Sequence, residues 1–173
     1  MIFILSACLL HAQKKARLLT SVSEDNNGII VKWYGENVFF DEAIDIYRTE
    51  SGNENWIKIN KNGIKRKNEM PENLINKDEF YSTINKILNN NNAKEIKGFI
   101  KLAIMVKSVE EPEFAEYLGI QFLDKSAEKN KSYKYKIKLS GKEHDLAVSP
   151  IVSYGDYKKA KSPENVIYDV KKY

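Results

Sequence analysis

A chain of 173 residues, 42% hydrophobic and 30% charged, is ordinary for one soluble globular domain. Its 28 basic and 24 acidic residues are interleaved, so a net charge of +4 creates no strong field for steering nucleic acid. A single cysteine, Cys8, excludes a disulfide framework, and the core has to carry the stability.

The first twelve residues, MIFILSACLLHA, carry no Asp, Glu, Lys or Arg. They are too short to span a bilayer as a helix, which needs about 20 residues. They fit the apolar region of a secretory signal, ending at small Ala12 before Gln13, Lys14 and Lys15. No basic segment precedes the run, and Leu10 is bulky for its place before the cleavage point. Two alternatives stay open. Leu5-Ser6-Ala7-Cys8 resembles a lipobox, in which Cys8 would be lipidated, and the run would otherwise be a buried N-terminal strand. Residues 1–12 are therefore expected to direct export to the periplasm, the outer membrane or the medium.

A first strand around Leu18-Leu19 leads into a polar turn, Glu24 to Gly28. In GIIVKWYG (Gly28 to Gly35), Ile29, Val31 and Trp33 share one face, the period of a half-buried strand. AIDIYR (Ala43 to Arg48) and WIKIN (Trp56 to Asn60) read as further strands. Lys58 to Lys67 is mostly basic but broken by Asn and Gly, and reads as a solvated loop.

The period then changes. Phe80, Ile84, Ile87 and Leu88 follow helical spacing over 77–88, with Asn76 as the expected N-cap. A second helix is expected over about 93–106, burying Ile96, Phe99, Ile100, Ala103 and Ile104. Pro112 starts a short third helix, and Gly119 caps its end. Strand character returns at Ile120 to Leu123. In SYKYKIKLSG (Ser132 to Gly141), Tyr133, Tyr135, Ile137 and Leu139 alternate with Lys134, Lys136 and Lys138. AVSPIVSY (Ala147 to Tyr154) is the last strand, and residues 158–173 read as a linker and the start of another module.

With Trp33 in Ile29-x-Val31-x-Trp33, and Tyr133 two residues before Tyr135, the chain resembles a fibronectin type III domain over roughly Arg17 to Tyr157. Ser149-Pro150-Ile151-Val152 and the exit through Ser162-Pro163 look like the link between tandem modules. The order "DIYR", Trp56, a long insert and Ala115-x-x-Leu118-Gly119 is similar to exported Bacteroidetes proteins. The resemblance implies a mainly β, immunoglobulin-like sandwich over 14–157, with Trp33, Tyr133 and Tyr135 in its core. Tyr133 would close a tyrosine corner through its hydroxyl. The segment of about 61–119, some three helices, departs from the family and is expected to lie outside the sandwich, on one sheet or sheet edge.

Chemistry is sparse. Of the two histidines, His11 would leave with the signal and His144 lies in a turn, so zinc and Cys-His or Ser-His-Asp arrangements are excluded. Asp41-Glu42 with Asp45, and Glu110-Glu111 with Glu113, are where a calcium site or a glycosidase-like acid pair would sit. Both read more simply as solvated or helix-capping acids. No catalytic, cofactor or metal residue is assigned. Tyr34, Tyr47, Trp56, Tyr154 and Tyr157 are the aromatics considered for exposure, with Trp56 and Tyr154 as candidate ligand contacts. The expectation is a non-catalytic interaction or spacer module with a protein or glycan partner, its only membrane link a lipid on Cys8. The alternative is an accessory domain of an extracellular hydrolase.

Overall fold

The computed structural model describes residues 16–35, 41–90, 96 and 98–156. The segment expected to be a signal, with Cys8 and His11, Tyr157 and the tail from 158 lie outside them. In chain order the elements are β1 (Ala16–Val22), β2 (Ile29–Gly35), β3 (Ile44–Glu50), β4 (Ile57–Lys58), α1 (Glu72–Ile75), α2 (Glu79–Asn89), α3 (Gly98–Glu110), α4 (Pro112–Tyr117), β5 (Gln121–Asp124), β6 (Ser132–Leu139), β7 (Asp145–Val148) and β8 (Val152–Ser153).

Two antiparallel sheets result. One has the order β1-β2-β5; the other runs β4-β3-β6-β7, with β8 also on β6. Strand covers 32% and helix 26% of the described residues, so the fold is mixed α/β rather than mainly β. Alternation sets each strand's inner face. Ile29, Val31 and Trp33 of β2 are buried, as are Tyr133, Tyr135 and Ile137 of β6. These side chains meet Leu18, Ile44 and Ile46 in one core that both sheets share.

Two expected strands are shorter than expected. WIKIN forms only the two-residue β4, because Asn60 turns its amide inward to bond Ile46 N–H at 2.7 Å and Ile44 C=O at 3.0 Å. AVSPIVSY divides into β7 and β8 around Pro150, which has no N–H to donate. At the break, Ser149 stands in for the ladder. Its N–H donates to Tyr135 C=O at 2.8 Å and its Oγ accepts from Tyr135 N–H at 2.9 Å.

The insert holds four helical segments rather than three, the added one being the single turn α1. Asp78, not Asn76, caps α2, its carboxylate accepting from Phe80 N–H at 2.7 Å. Asn76 instead ends α1. Pro112 opens α4, and Gly119 follows it at φ +66°, as its position suggests. A Cβ on Gly119 would overlap the backbone of Lys65 and Arg66, so a close crossing also requires glycine there.

The insert docks at the Trp33 end of the β1-β2-β5 sheet. Trp33 N–H donates to Ile120 C=O at 3.1 Å, and Lys32 Nζ reaches Ser108 C=O at 3.3 Å. Ile64 pairs with Ile44 at the start of β3. The insert is not a separate outer layer. Met70, Leu74, Tyr81, Ile84, Leu88, Phe114, Tyr117 and Leu118 join the same apolar cluster as the strands.

Candidate functional site

Trp33, Tyr133 and Tyr135 are all buried, but each has a different polar fate. Trp33 Nε1 has no partner among the described residues. The Tyr133 hydroxyl accepts from Glu128 N–H at 2.9 Å, tying β6 back to the loop before it. The Tyr135 hydroxyl donates to Asp124 Oδ2 at 2.8 Å, across from one sheet to the other. Burial, followed by the Asp124 carboxylate, pushes the Tyr135 phenol well above its ordinary range. Asp124 also accepts from Arg48 Nη1 at 2.7 Å and from Ser126 N–H and Oγ at 3.0 and 2.7 Å. The Arg48 guanidinium lies 4.8 Å from the Tyr133 ring centre. Neither Arg48 nor Asp124 was singled out from the sequence, since neither has a charged partner nearby in the chain to reveal the pairing.

The aromatics considered for the surface divide. Tyr154 is only 4% exposed, and its hydroxyl donates to Asn26 C=O at 2.7 Å. It is a core residue and offers no surface contact. Trp56 is half-buried, with Lys136 Nζ at 4.6 Å from its ring centre. Lys136 and Lys138 also flank Tyr47, at 5.8 and 5.5 Å. Both lysines share Asp145 at 3.5 and 3.4 Å, so part of the positive charge on the outer face of β6 is offset within the domain. Tyr34 is partly buried, its hydroxyl enclosed without a partner among the described residues.

The acidic clusters are taken up by neighbours. Asp45 pairs with Lys58 at 2.9 Å and accepts from Ser140, while Asp41 meets Arg66 at 3.3 Å. Glu111 pairs with Lys77, Glu110 with Lys107 at 3.4 Å, and Glu113 accepts from Asn73 at 2.6 Å. Arg66 also donates to Leu88 C=O at 3.3 Å and Asn89 at 3.0 Å, clamping the end of α2 to the approach to β3. Among the described residues, no group of three or more His, Cys, Asp or Glu is placed to hold a metal ion. His144 is exposed in the bend before β7.

What remains is α3, and here the structure departs furthest from expectation. The helix runs over 98–110 and buries only Ile104 and Ser108. Phe99, expected inside, is 83% exposed, and Leu102, Val106 and Val109 are 56%, 48% and 61% exposed. A helix apolar on opposite faces cannot hide both against one neighbour. The exposed face continues into a groove of about 330 Å³ between α2 and α3, lined by Phe80, Ile84, Ile87, Phe99, Ile100 and Ala103. Glu79 and Thr83 are its only polar wall residues. Such a surface can bury itself against another apolar surface. No helix among the described residues is long and apolar enough to cross a membrane. No protein-family model matches this sequence, and no curated protein matches it.

Proposed function

We propose that this chain is a non-catalytic interaction module with a fibronectin type III-like sandwich, and that the exposed face of α3 is its docking surface for a helical protein partner. The observation that carries it is the solvent exposure of Phe99, Leu102, Val106 and Val109 along one helix. The strand orders β1-β2-β5 and β4-β3-β6-β7, the inward Trp33, and the Tyr133 hydroxyl tied to Glu128 support the sandwich reading. The test is thiol labelling of Leu102→Cys in a Cys8→Ser background. Rapid reaction in dilute solution supports an open surface. Reaction limited by global unfolding would mean that the chain covers α3 itself, and would end the reading. Hydrolase activity that disappears in Asp41→Asn or Glu111→Gln would end it equally.

The uncharged run from Met1 to Ala12 supports export of the module as part of a cell-surface or periplasmic protein. N-terminal sequencing of the mature protein decides this. A start at Gln13 fits a cleaved signal and a lipidated Cys8 fits an anchor, whereas an intact Met1 removes export.

A further inference from the structure

The exposed residues of α3 are spaced in a particular way. Phe99, Leu102, Val106 and Val109 are separated by three, four and three positions. That is the a/d seam of a coiled coil, a stripe whose natural complement is a second helix with the same stripe. We propose that the partner is a second copy of this chain, with the two α3 helices packed antiparallel about a two-fold axis. This rests on the reading of α3 as a docking surface and names its occupant.

Three observations favour this occupant. First, the seam is graded in size from Phe99 and Leu102 to Val106 and Val109. Running antiparallel, each large residue meets a small one: Phe99 faces the second copy's Val109, and Leu102 faces its Val106. A parallel pair would stack phenylalanine on phenylalanine and leave valine against valine. Second, the positions flanking the seam on its middle turns are Ala103 and Met105. No like charges are forced together there, and the alanine lets the helices approach. Glu110, at the seam's end, is already paired with Lys107 at 3.4 Å. Third, α3 is held in place by its own domain through Ile104, Ser108 and the Lys32–Ser108 hydrogen bond. It therefore presents a formed helix, and association does not bear the ordering entropy that a free 13-residue segment would. A two-fold pairing of identical patches closes on itself and yields a dimer rather than a fibre.

The test is light scattering of the full chain over a dilution series, in a Cys8→Ser background, beside Val106→Glu. The expected result is a dimer that dissociates on dilution, and a Val106→Glu protein that stays monomeric and matches the parent's unfolding midpoint at concentrations where the parent is itself a monomer. Leu102→Cys and Val106→Cys chains, mixed and oxidised, should form disulfides mainly between unlike chains. A monomer at every concentration, a dimer indifferent to Val106→Glu, or a preference for like-chain disulfides would overturn the proposal. The labelling experiment separates the two readings. A monomer whose residue 102 thiol reacts fast discards self-pairing and leaves α3 open to another helix; a monomer whose thiol is protected discards both.

Discussion

Arg48 and Asp124 meet at 2.7 Å between the two sheets, one from β3 and the other from β5, with Asp124 fully buried. Among the described residues, neither has another ion-pair partner. Asp124 holds Arg48, the Tyr135 hydroxyl and the nearby Ser126 at once, so it ties β3, β5 and β6 together. Asp124→Ala should lower stability by about 3 kcal/mol, because it leaves a cation and a phenol without their acceptor. Urea unfolding reads this directly. A loss below about 1 kcal/mol would mean that water replaces the carboxylate.

Alkaline pH attacks the same junction from the phenol side. The Tyr135 phenol is raised in the folded chain from the ordinary value of 10.0, first by burial and then by Asp124. Below that value both states hold the proton and its contribution is complete. As pH rises past about 10, the unfolded chain releases its proton while the folded chain keeps it, so stability falls by at most about 1.4 kcal/mol per pH unit for this group. Tyr81 is raised as well, through burial, so Tyr135→Phe should reduce the alkaline slope without abolishing it. Urea midpoints on either side of pH 10 measure the difference, and equal slopes in the two proteins would refute it.

Two glycines separate backbone strain from crowding. Gly119 combines φ +66° with the backbone of Lys65 and Arg66 against the place of a Cβ. Gly52 has φ +86° but open space around it. Gly52→Ala should lower stability by about 1 kcal/mol from conformation alone. Gly119→Ala should lose at least about 2 kcal/mol and loosen the insert, since the overlap adds to the strain. Thermal melts of the pair give the comparison, and equal losses would show that the backbone at Lys65 yields.

The start of α2 allows a clean contrast between neighbours. Asp78→Ala removes the acceptor of Phe80 N–H and should lower stability by about 1 kcal/mol. Asn76→Ala should leave it within about 0.5 kcal/mol, because its side chain makes no cap. The reverse order in chemical denaturation would return the cap to Asn76.

The tie between Tyr133 and Glu128 predicts a loss without a change of shape. Tyr133→Phe keeps the ring among its neighbours but leaves a backbone N–H without its acceptor at the turn before β6. A loss of about 1–2 kcal/mol is expected, with faster hydrogen exchange at Glu128. Unchanged exchange there would show that the bond carries no load.

How far each element could be read depended on the reach of the forces that shape it. β2 and β6 were legible because their inner and outer faces differ sharply, Ile29, Val31 and Trp33 against Lys32, and the tyrosines against Lys134, Lys136 and Lys138. α4 was legible because proline and glycine act on their own backbone. α3 was legible as a helix that buries Ile104, but the exposure of Phe99 was not, since apolar residues surround the helix and its packed side depends on Lys32, 76 positions earlier, touching Ser108. Arg48 and Asp124 escaped for the same reason. A charge reads as solvated until its distant partner is known, and their separation of 76 residues hides the match. Tyr154 was misplaced because a tyrosine near a chain end gives no local sign of the Asn26 carbonyl that receives it.

Residues 59–120 stand between the strands that each sheet needs. Ile29 pairs with Asp124, and Glu50 with Tyr133, so neither sheet closes until the helices have been synthesised. A nascent chain that has released only β1 to β4 holds two hairpins with bare inner faces and no third strand. Productive folding is therefore post-insert and dominated by long loop closures. During that interval the chain depends on whatever shields Trp33 and its neighbours from solvent.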